Sequence, residues 1–298
     1  MASMSRKIQD STNDKIFMIF VYAILCIVLV VVIYPLIYIV SSSISSPHAV
    51  TSGQVWLWPV DISFTGYLTL WYTPMIKTSY LNSFIYTSAG TAISVVLTIM
   101  IAYPLSRKTF YGRSAILVMV TFTMLFSGGL IPTYLVVREL GMIDTRWAVL
   151  IPNAIWVWQM IIAKSFFQSN IPEELLEASE IDGCSDFRFI SSVVLPLSKP
   201  IIAVLVLMYA VGQWNAYFDA LIYLKSDKLY PLQLILRSII IQNNSGGIAD
   251  VGLQVQRQQL TELLKYSLIV IATLPVLLIY PFVQRYFVQG MMVGSIKG

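Results

Sequence analysis

The chain has 298 residues, of which 57% are hydrophobic and 11% charged. A soluble domain carries about 25% charged residues, so the composition excludes a water-soluble globular protein and points to a membrane. The net charge of +4 fits a membrane protein with positive cytoplasmic flanks and does not argue for nucleic acid.

Residues 1–15 are polar and charged and read as a cytoplasmic, disordered or interfacial start. Six uncharged stretches follow: Ile16–Val40, Leu81–Leu105, Ser114–Val137, Trp147–Ala163, Pro200–Phe218 and Tyr266–Gln284. Each has 17 to 25 residues, the length a spanning helix needs. The expected fold is therefore an all-α integral membrane protein of six helices, with both termini on one side. Segments 1–15, 106–113, 164–199 and 285–298 hold 11 Lys and Arg in 73 residues, against 8 in the 96 residues of the opposite segments. That bias places both termini in the cytoplasm. The first stretch is too long for a signal-peptide core and lacks a small-residue cleavage site, so it is predicted to stay.

The outer segment Ser41–Tyr80 carries Trp56, Trp58, Tyr67, Trp71 and Tyr72, an interfacial aromatic belt. Ser127-Gly128-Gly129 and Pro132 predict a bend or close packing in the third span. Leu229–Ile241 is apolar but has only 13 residues and contains Arg237; it is too short to span and is expected to pack on the bundle. Gln242–Gln259 reads as a mobile loop. His48, the only histidine, reads as a solvated loop residue, and Cys26 and Cys184 give neither a disulfide framework nor zinc spacing.

Glu177-Ala178-Ser179-Glu180-Ile181-Asp182-Gly183, with Leu195-Pro196 twelve residues on, is the most informative segment. Pro172 suits a helix start, and Glu173 and Glu174 sit where the helix dipole favours anions. Gly183 is placed to end that helix in a left-handed cap. Ser185 can cap the next one, in which Phe187, Ile190 and Val194 would share a face. Six carboxylates lie between Glu173 and Asp186. Composition alone leaves an ordinary solvated amphipathic loop equally open.

The spacing resembles the EAA loop (Glu-Ala-Ala, three residues, Gly, nine residues, Ile-x-Leu-Pro) of permease subunits in ATP-binding-cassette (ABC) importers, with Ser179 for the third residue and Val193 for the isoleucine. Trp214-Asn215, Thr273-Leu274-Pro275, Gln284–Gly290 and the terminal Gly294-Ser295-Ile296-Lys297-Gly298 resemble carbohydrate-type permeases of the maltose-permease G-subunit type, and the chain is similar to Gram-positive permeases for complex oligosaccharides. The resemblance implies a permease domain over 16–288 with a coupling loop at about 170–200, and a cytoplasmic tail over 289–298. It makes Glu177, Ala178, Ser179, Asp182, Gly183, Leu195 and Pro196 the ATPase-coupling residues, and Gly294, Ser295, Ile296 and Lys297 a tail contact. It also implies a second, non-identical permease subunit, two ABC ATPase subunits and an extracellular solute-binding protein.

No Gly-x-x-x-x-Gly-Lys-Ser/Thr loop occurs in the chain, and the spans lack the charges that mark most ion-coupled transporters. The chain is thus expected to be non-catalytic and to bind no cofactor, with ATP and Mg held by the partner ATPase. Polar groups within spans face a pore or a neighbouring helix. Asn82, Asn153, Gln159, Gln213 and Asn215 are such groups, and the last four lie among Trp156, Trp158, Tyr209, Trp214 and Tyr217. A substrate path is therefore expected along Asn153, Trp156, Gln159, Tyr209, Gln213, Trp214, Asn215 and Tyr217; for any one of them, helix–helix packing is the competing role. The expected substrate is an oligosaccharide, with an acidic one from plant cell walls as the narrower expectation. The alternatives are a permease for a non-sugar solute and a lipid-linked sugar transferase; the latter would need a carboxylate or histidine cluster that the chain does not show.

Overall fold

The computed structural model describes residues 12–242 and 251–295. Every regular element among them is helical. The chain divides into two compact units, Met1–Leu70 with Asn243–Val270 and Trp71–Gln242 with Ile271–Gly298.

In the first unit, α1 (Thr12–Ser43) is a continuous helix with Pro35 inside it. Its apolar side chains from Ile16 to Val40 lie largely exposed, and burial begins only at Ser41, Ser42 and Ser43. A helix satisfies its own backbone, which is what allows so apolar a surface to meet hydrocarbon. The serine run then organises the turn into α2 (Pro47–Thr51). Ser41 Oγ donates to the Leu57 carbonyl at 2.7 Å, and Ser45 Oγ accepts from the Val60 amide at 3.0 Å. α3 (Thr65–Tyr72) follows. Trp56, Trp58, Trp71 and Tyr72 are exposed as the aromatic belt requires, whereas Tyr67 is bonded to Ser43 at 2.7 Å.

The second unit is built around α4 (Pro74–Ser106). One face of it carries buried Ser79, Ser83, Ser94 and Thr98 with Gly90 between them. Small residues let backbones approach closely where hydrophobic driving force is absent. α5 (Arg113–Leu125) and α6 (Leu130–Glu139) come from the third apolar stretch and meet at 114°. Gly129 breaks them apart at φ +86°, as the Ser-Gly-Gly sequence foreshadows. The fourth stretch is not one helix: α7 (Trp147–Leu150) ends, residues 151–156 are irregular, and α8 (Val157–Asn170) begins. Pro152 withholds the amide that would continue α7.

After α9 (Glu173–Ile181) and α10 (Asp186–Phe189) come a π-turn at Ile190–Val194 and the short α11 (Leu195–Leu197). α12 (Lys199–Asn215) leaves this segment at 81°. It packs against α4 and α8. An added Cβ at Gly212 would lie 2.1 Å from the Trp156 ring, and one at Gly90 2.9 Å from Gln213, so these glycines set how closely the helices pack.

The core of the unit gathers at Tyr209, which is fully buried. Its hydroxyl is 2.7 Å from Thr98 Oγ1 on α4 and accepts from the Trp156 amide, just before α8, at 3.2 Å.

α13 (Phe218–Tyr223) and α14 (Leu232–Gln242) complete the segment before residue 243. α14 packs on α4 as expected. Asn82 fixes the approach to it: its Nδ2 donates to the carbonyls of Lys228 at 2.7 Å and Tyr230 at 3.2 Å, and Ser83 Oγ accepts from the Leu232 amide at 2.8 Å. Asp144, at φ +59°, accepts from the amides of Lys225 and Ser226, both at 2.8 Å, and from Ser226 Oγ. The Ser226 hydroxyl, then the two amides, hold its carboxyl below the usual carboxylate range.

α15 (Val251–Ser295) is longer than the last apolar stretch. The expected loop Gln242–Gln259 is therefore not seen where it is described: Gln242 ends α14 and the backbone is helical from Val251, while residues 243–250 lie outside the described residues. The tail expected from 289 is helical through Ser295 as well, because Gly290 and Gly294 weaken a helix by about 1 kcal/mol each but do not block it as Pro would. Ile296 and Lys297 lie outside the described residues.

Tyr209→Phe leaves a buried Thr98 hydroxyl and the Trp156 amide without their shared partner. The expected cost is about 1–2 kcal/mol, read as a lower thermal unfolding temperature of the solubilised protein. Thr98→Val made in the Tyr209→Phe background should add little, since the bond is already gone.

Candidate functional site

The acidic segment folds as its composition dictates. α9 starts after Pro172, with Glu173 and Glu174 in its first turn, and ends in a Schellman cap. The Cys184 amide donates to the Ser179 carbonyl at 2.9 Å, the Gly183 amide donates to Glu180 at 3.0 Å, and Gly183 is left-handed at φ +69°. Nothing lies within 4 Å of a Cβ built on Gly183, so the backbone conformation, not space, selects glycine there.

Two local expectations need correction. Ser185 precedes α10, but its hydroxyl makes no capping bond. Phe187 does not share a face with Val194: it is 83% exposed, while Val194 is fully buried and Phe189 is 1% exposed. The π-turn at Ile190–Val194 inserts an extra residue and shifts the register, so Phe189 and Val194, not Phe187, join the core. Glu177, Ala178, Asp182 and Gly183 are exposed, and beside them the large apolar Ile181 and Phe187 stand uncovered. Ser179 is half-buried and its hydroxyl bonds the Leu176 carbonyl at 2.7 Å. Leu195 is half-buried and Pro196 exposed.

One residue that the sequence reading passed over ties this loop to α4. Arg107 follows α4 directly and is only 7% exposed. Its Nη1 donates to the Ile171 carbonyl at 3.2 Å, immediately before the start of α9, and its guanidinium lies 4.8 Å over the Tyr103 ring. Tyr103 in turn packs edge-on against Phe167 of α8 at 5.9 Å. A cation flush with the end of an uncharged span is the available signal.

The expected path residues do not form one open surface. Gln159, Tyr209, Gln213 and Trp214 are buried, and Trp156 is half-buried with its ring 5.1 Å from that of Tyr209. Trp214 Nε1 donates to the Ala272 carbonyl at 2.8 Å, and Tyr80 and Phe84 meet its ring edge-on. Trp214 also borders an apolar recess of ≈ 460 Å³ with Thr87, Thr91, Val206, Ala210 and Pro275, a lining suited to hydrocarbon rather than to sugar hydroxyls. Asn153, Asn215 and Tyr217 are exposed. Asn153 Nδ2 donates to Asp219 at 2.8 Å, and Asn215 Nδ2 to the Val211 carbonyl at 2.8 Å. Among the described residues no cluster of metal-ligating side chains occurs.

Among the described residues, three helices long and apolar enough to cross a membrane, two bent pairs that pass the same test jointly, and an acidic helix–turn–helix between two apolar segments make the build of a membrane transport subunit. No protein-family model matches the chain. It is 40% identical over 288 residues to the polygalacturonan/rhamnogalacturonan transport system permease protein YtcP of Bacillus subtilis, covering 96% of this chain and 100% of that protein. It is 41% identical over 269 residues to the protein LplC of the same organism, covering 90% of each. Among solved structures, a chain of a bacterial ABC transporter involved in import of the acidic polysaccharide alginate matches with a TM-score of 0.87 and 35% identity, over 94% of this chain and 100% of that one. The chain belongs to the family of permease subunits of ABC importers. Its role is that of an integral membrane transport subunit, not of an enzyme.

Arg107→Lys should not restore what Arg107→Ala removes, because an ammonium cannot stack on Tyr103 and reach the Ile171 carbonyl as a planar fork does. Faster amide hydrogen exchange across residues 171–183 in both variants is the expected reading; parent-like exchange in the lysine variant would refute it.

Proposed function

We propose that this subunit forms half of the translocation pathway for an acidic oligosaccharide derived from plant cell walls, driven by a separate ATPase. The observation that carries this is the full-length similarity to a polygalacturonan/rhamnogalacturonan permease. The alginate importer chain supports the acidic class, since alginate too is an acidic polysaccharide. Six spans with both termini in the cytoplasm remain the reading of the whole chain, with the bent pairs and the interrupted fourth stretch counted as spans. A second, non-identical permease subunit, an extracellular solute-binding protein and two ATPase subunits that carry ATP and Mg complete the assembly.

In this reading the acidic loop is the coupling element. Exposed Ile181 and Phe187, beside small Ala178 and Gly183, give a partner both an apolar foothold and room for close approach, and Glu177 and Asp182 offer charge to basic groups. The tail at Gly294, Ser295, Ile296 and Lys297 would reach the same ATPase pair.

The test of the substrate is ATPase stimulation in the reconstituted importer with its binding protein. Uronate oligosaccharides should stimulate, and amino acids and peptides should not; stimulation by amino acids or peptides alone would overturn the sugar assignment. The test of coupling is a pair of substitutions at Gly183. Asn tolerates the left-handed region, so Gly183→Asn should transport. Gly183→Arg, bulky and strained, should leave an assembled complex in the membrane that neither transports nor couples hydrolysis; normal uptake by it would remove the coupling role.

A further inference from the structure

Arg237 is the only charged residue between Lys228 and Asp250. It lies on α14, whose Leu232, Leu234 and Ile235 are buried. Its guanidinium sits half-buried, 4.5 Å above the ring of Tyr217. Among the described residues it forms no ion pair. Asp219, two residues beyond Tyr217, gives its carboxylate to Asn153 instead, at 2.8 Å. Arginine cannot shed its proton. A cation–π contact leaves that charge in place. A half-buried cation with no carboxylate partner among the described residues is placed to meet an anion from outside the chain.

The contact also holds the cation at Tyr217. A guanidinium carries its N–H bonds in one plane, as a fork that matches a carboxylate bidentately. We propose that Arg237, held by Tyr217, is the subsite that takes the carboxylate of an incoming uronate residue. The inference rests on the acidic-oligosaccharide reading above and assigns that selectivity to a named side chain.

The neighbouring groups suit the same ligand. Tyr217 is exposed, so the sugar ring can lie along its uncovered edge. Asn215 uses its Nδ2 internally at 2.8 Å, and its carbonyl oxygen can accept from a hydroxyl. Asp219 is already engaged by the Asn153 amide, whose Nδ2 donates to it at 2.8 Å.

The test uses the complete importer with its binding protein in proteoliposomes, supplied with trigalacturonate. Arg237→Gln should lower stimulated hydrolysis and uptake about tenfold or more, and Arg237→Lys by less. Hydrolysis with unliganded binding protein and the thermal stability of the complex should match the parent in both variants. Parent-like uptake by Arg237→Gln overturns the subsite. So does a loss shared equally with the unliganded rate or with stability, which would mark a structural arginine. So does a loss seen in anionic but not in zwitterionic vesicles, which would mark a lipid headgroup contact. A parent importer that responds to no oligosaccharide overturns the transport reading itself, and the subsite with it.

Discussion

The hydrogen bonds made by the Tyr209 hydroxyl are the constraint on which the second unit depends. Backbone groups at membrane depth must find partners inside the protein, yet the fourth apolar stretch breaks between Ile151 and Trp156. α8 therefore starts with unpaired amides, and no side chain caps it. Tyr209, reaching across from α12, takes the Trp156 amide and is itself held by Thr98 on α4. One phenol thus makes the break tolerable and ties three helices together. The closeness this requires explains Gly90 and Gly212, where any side chain would displace Gln213 or Trp156.

The helical class and the acidic helix–turn–helix were legible because both rest on local chemistry. Charge-free runs are costly to leave in water, and a glycine after an acidic helix has few uses other than a left-handed cap. The illegible parts depend on tertiary partners. Nothing local marks Ile190–Val194 as a π-turn, so helical spacing put Phe187 on one face with Val194 when the extra residue puts Phe189 there. Asn82, Gln213 and Trp214 read as pore candidates because polar groups in spans are rare. The structure commits Asn82 to the carbonyls of Lys228 and Tyr230 and Trp214 to that of Ala272, and packs Gln213 against Gly90. An amide or indole that satisfies a distant carbonyl looks the same in sequence as one waiting for a sugar.

The acidic loop shows the opposite balance. Its exposed Ile181 and Phe187, and the carboxylates beside them, are not covered by the described residues. A folded chain acting alone would gain nothing by leaving two large apolar side chains uncovered beside a row of charges. Its attachment, in contrast, is firm: Leu176, Phe189 and Val194 pack into the core, and Arg107 holds the Ile171 carbonyl. A segment anchored on one face and uncovered on the other is consistent with the coupling role proposed for it.

Arg107 and Arg237 use one device for two ends. Each lays its guanidinium over a tyrosine ring, at 4.8 Å and 4.5 Å. Arg107 is closed off: it bonds a backbone carbonyl, and its remaining nitrogens Nε and Nη2 are buried without partners. No ligand can reach those nitrogens without the loop moving, so its charge serves position. Arg237 is half-buried over a ring that is itself exposed, so a carboxylate can meet the fork without any rearrangement of the fold. A buried guanidinium costs several kcal/mol to desolvate, and only interactions within the chain can offset that at Arg107. At Arg237 the solvent still carries much of the charge, and an anionic ligand that replaces this solvent gains a charge-assisted pair. The same cation–π contact therefore fixes a joint where access is closed and presents a recognition group where access is open.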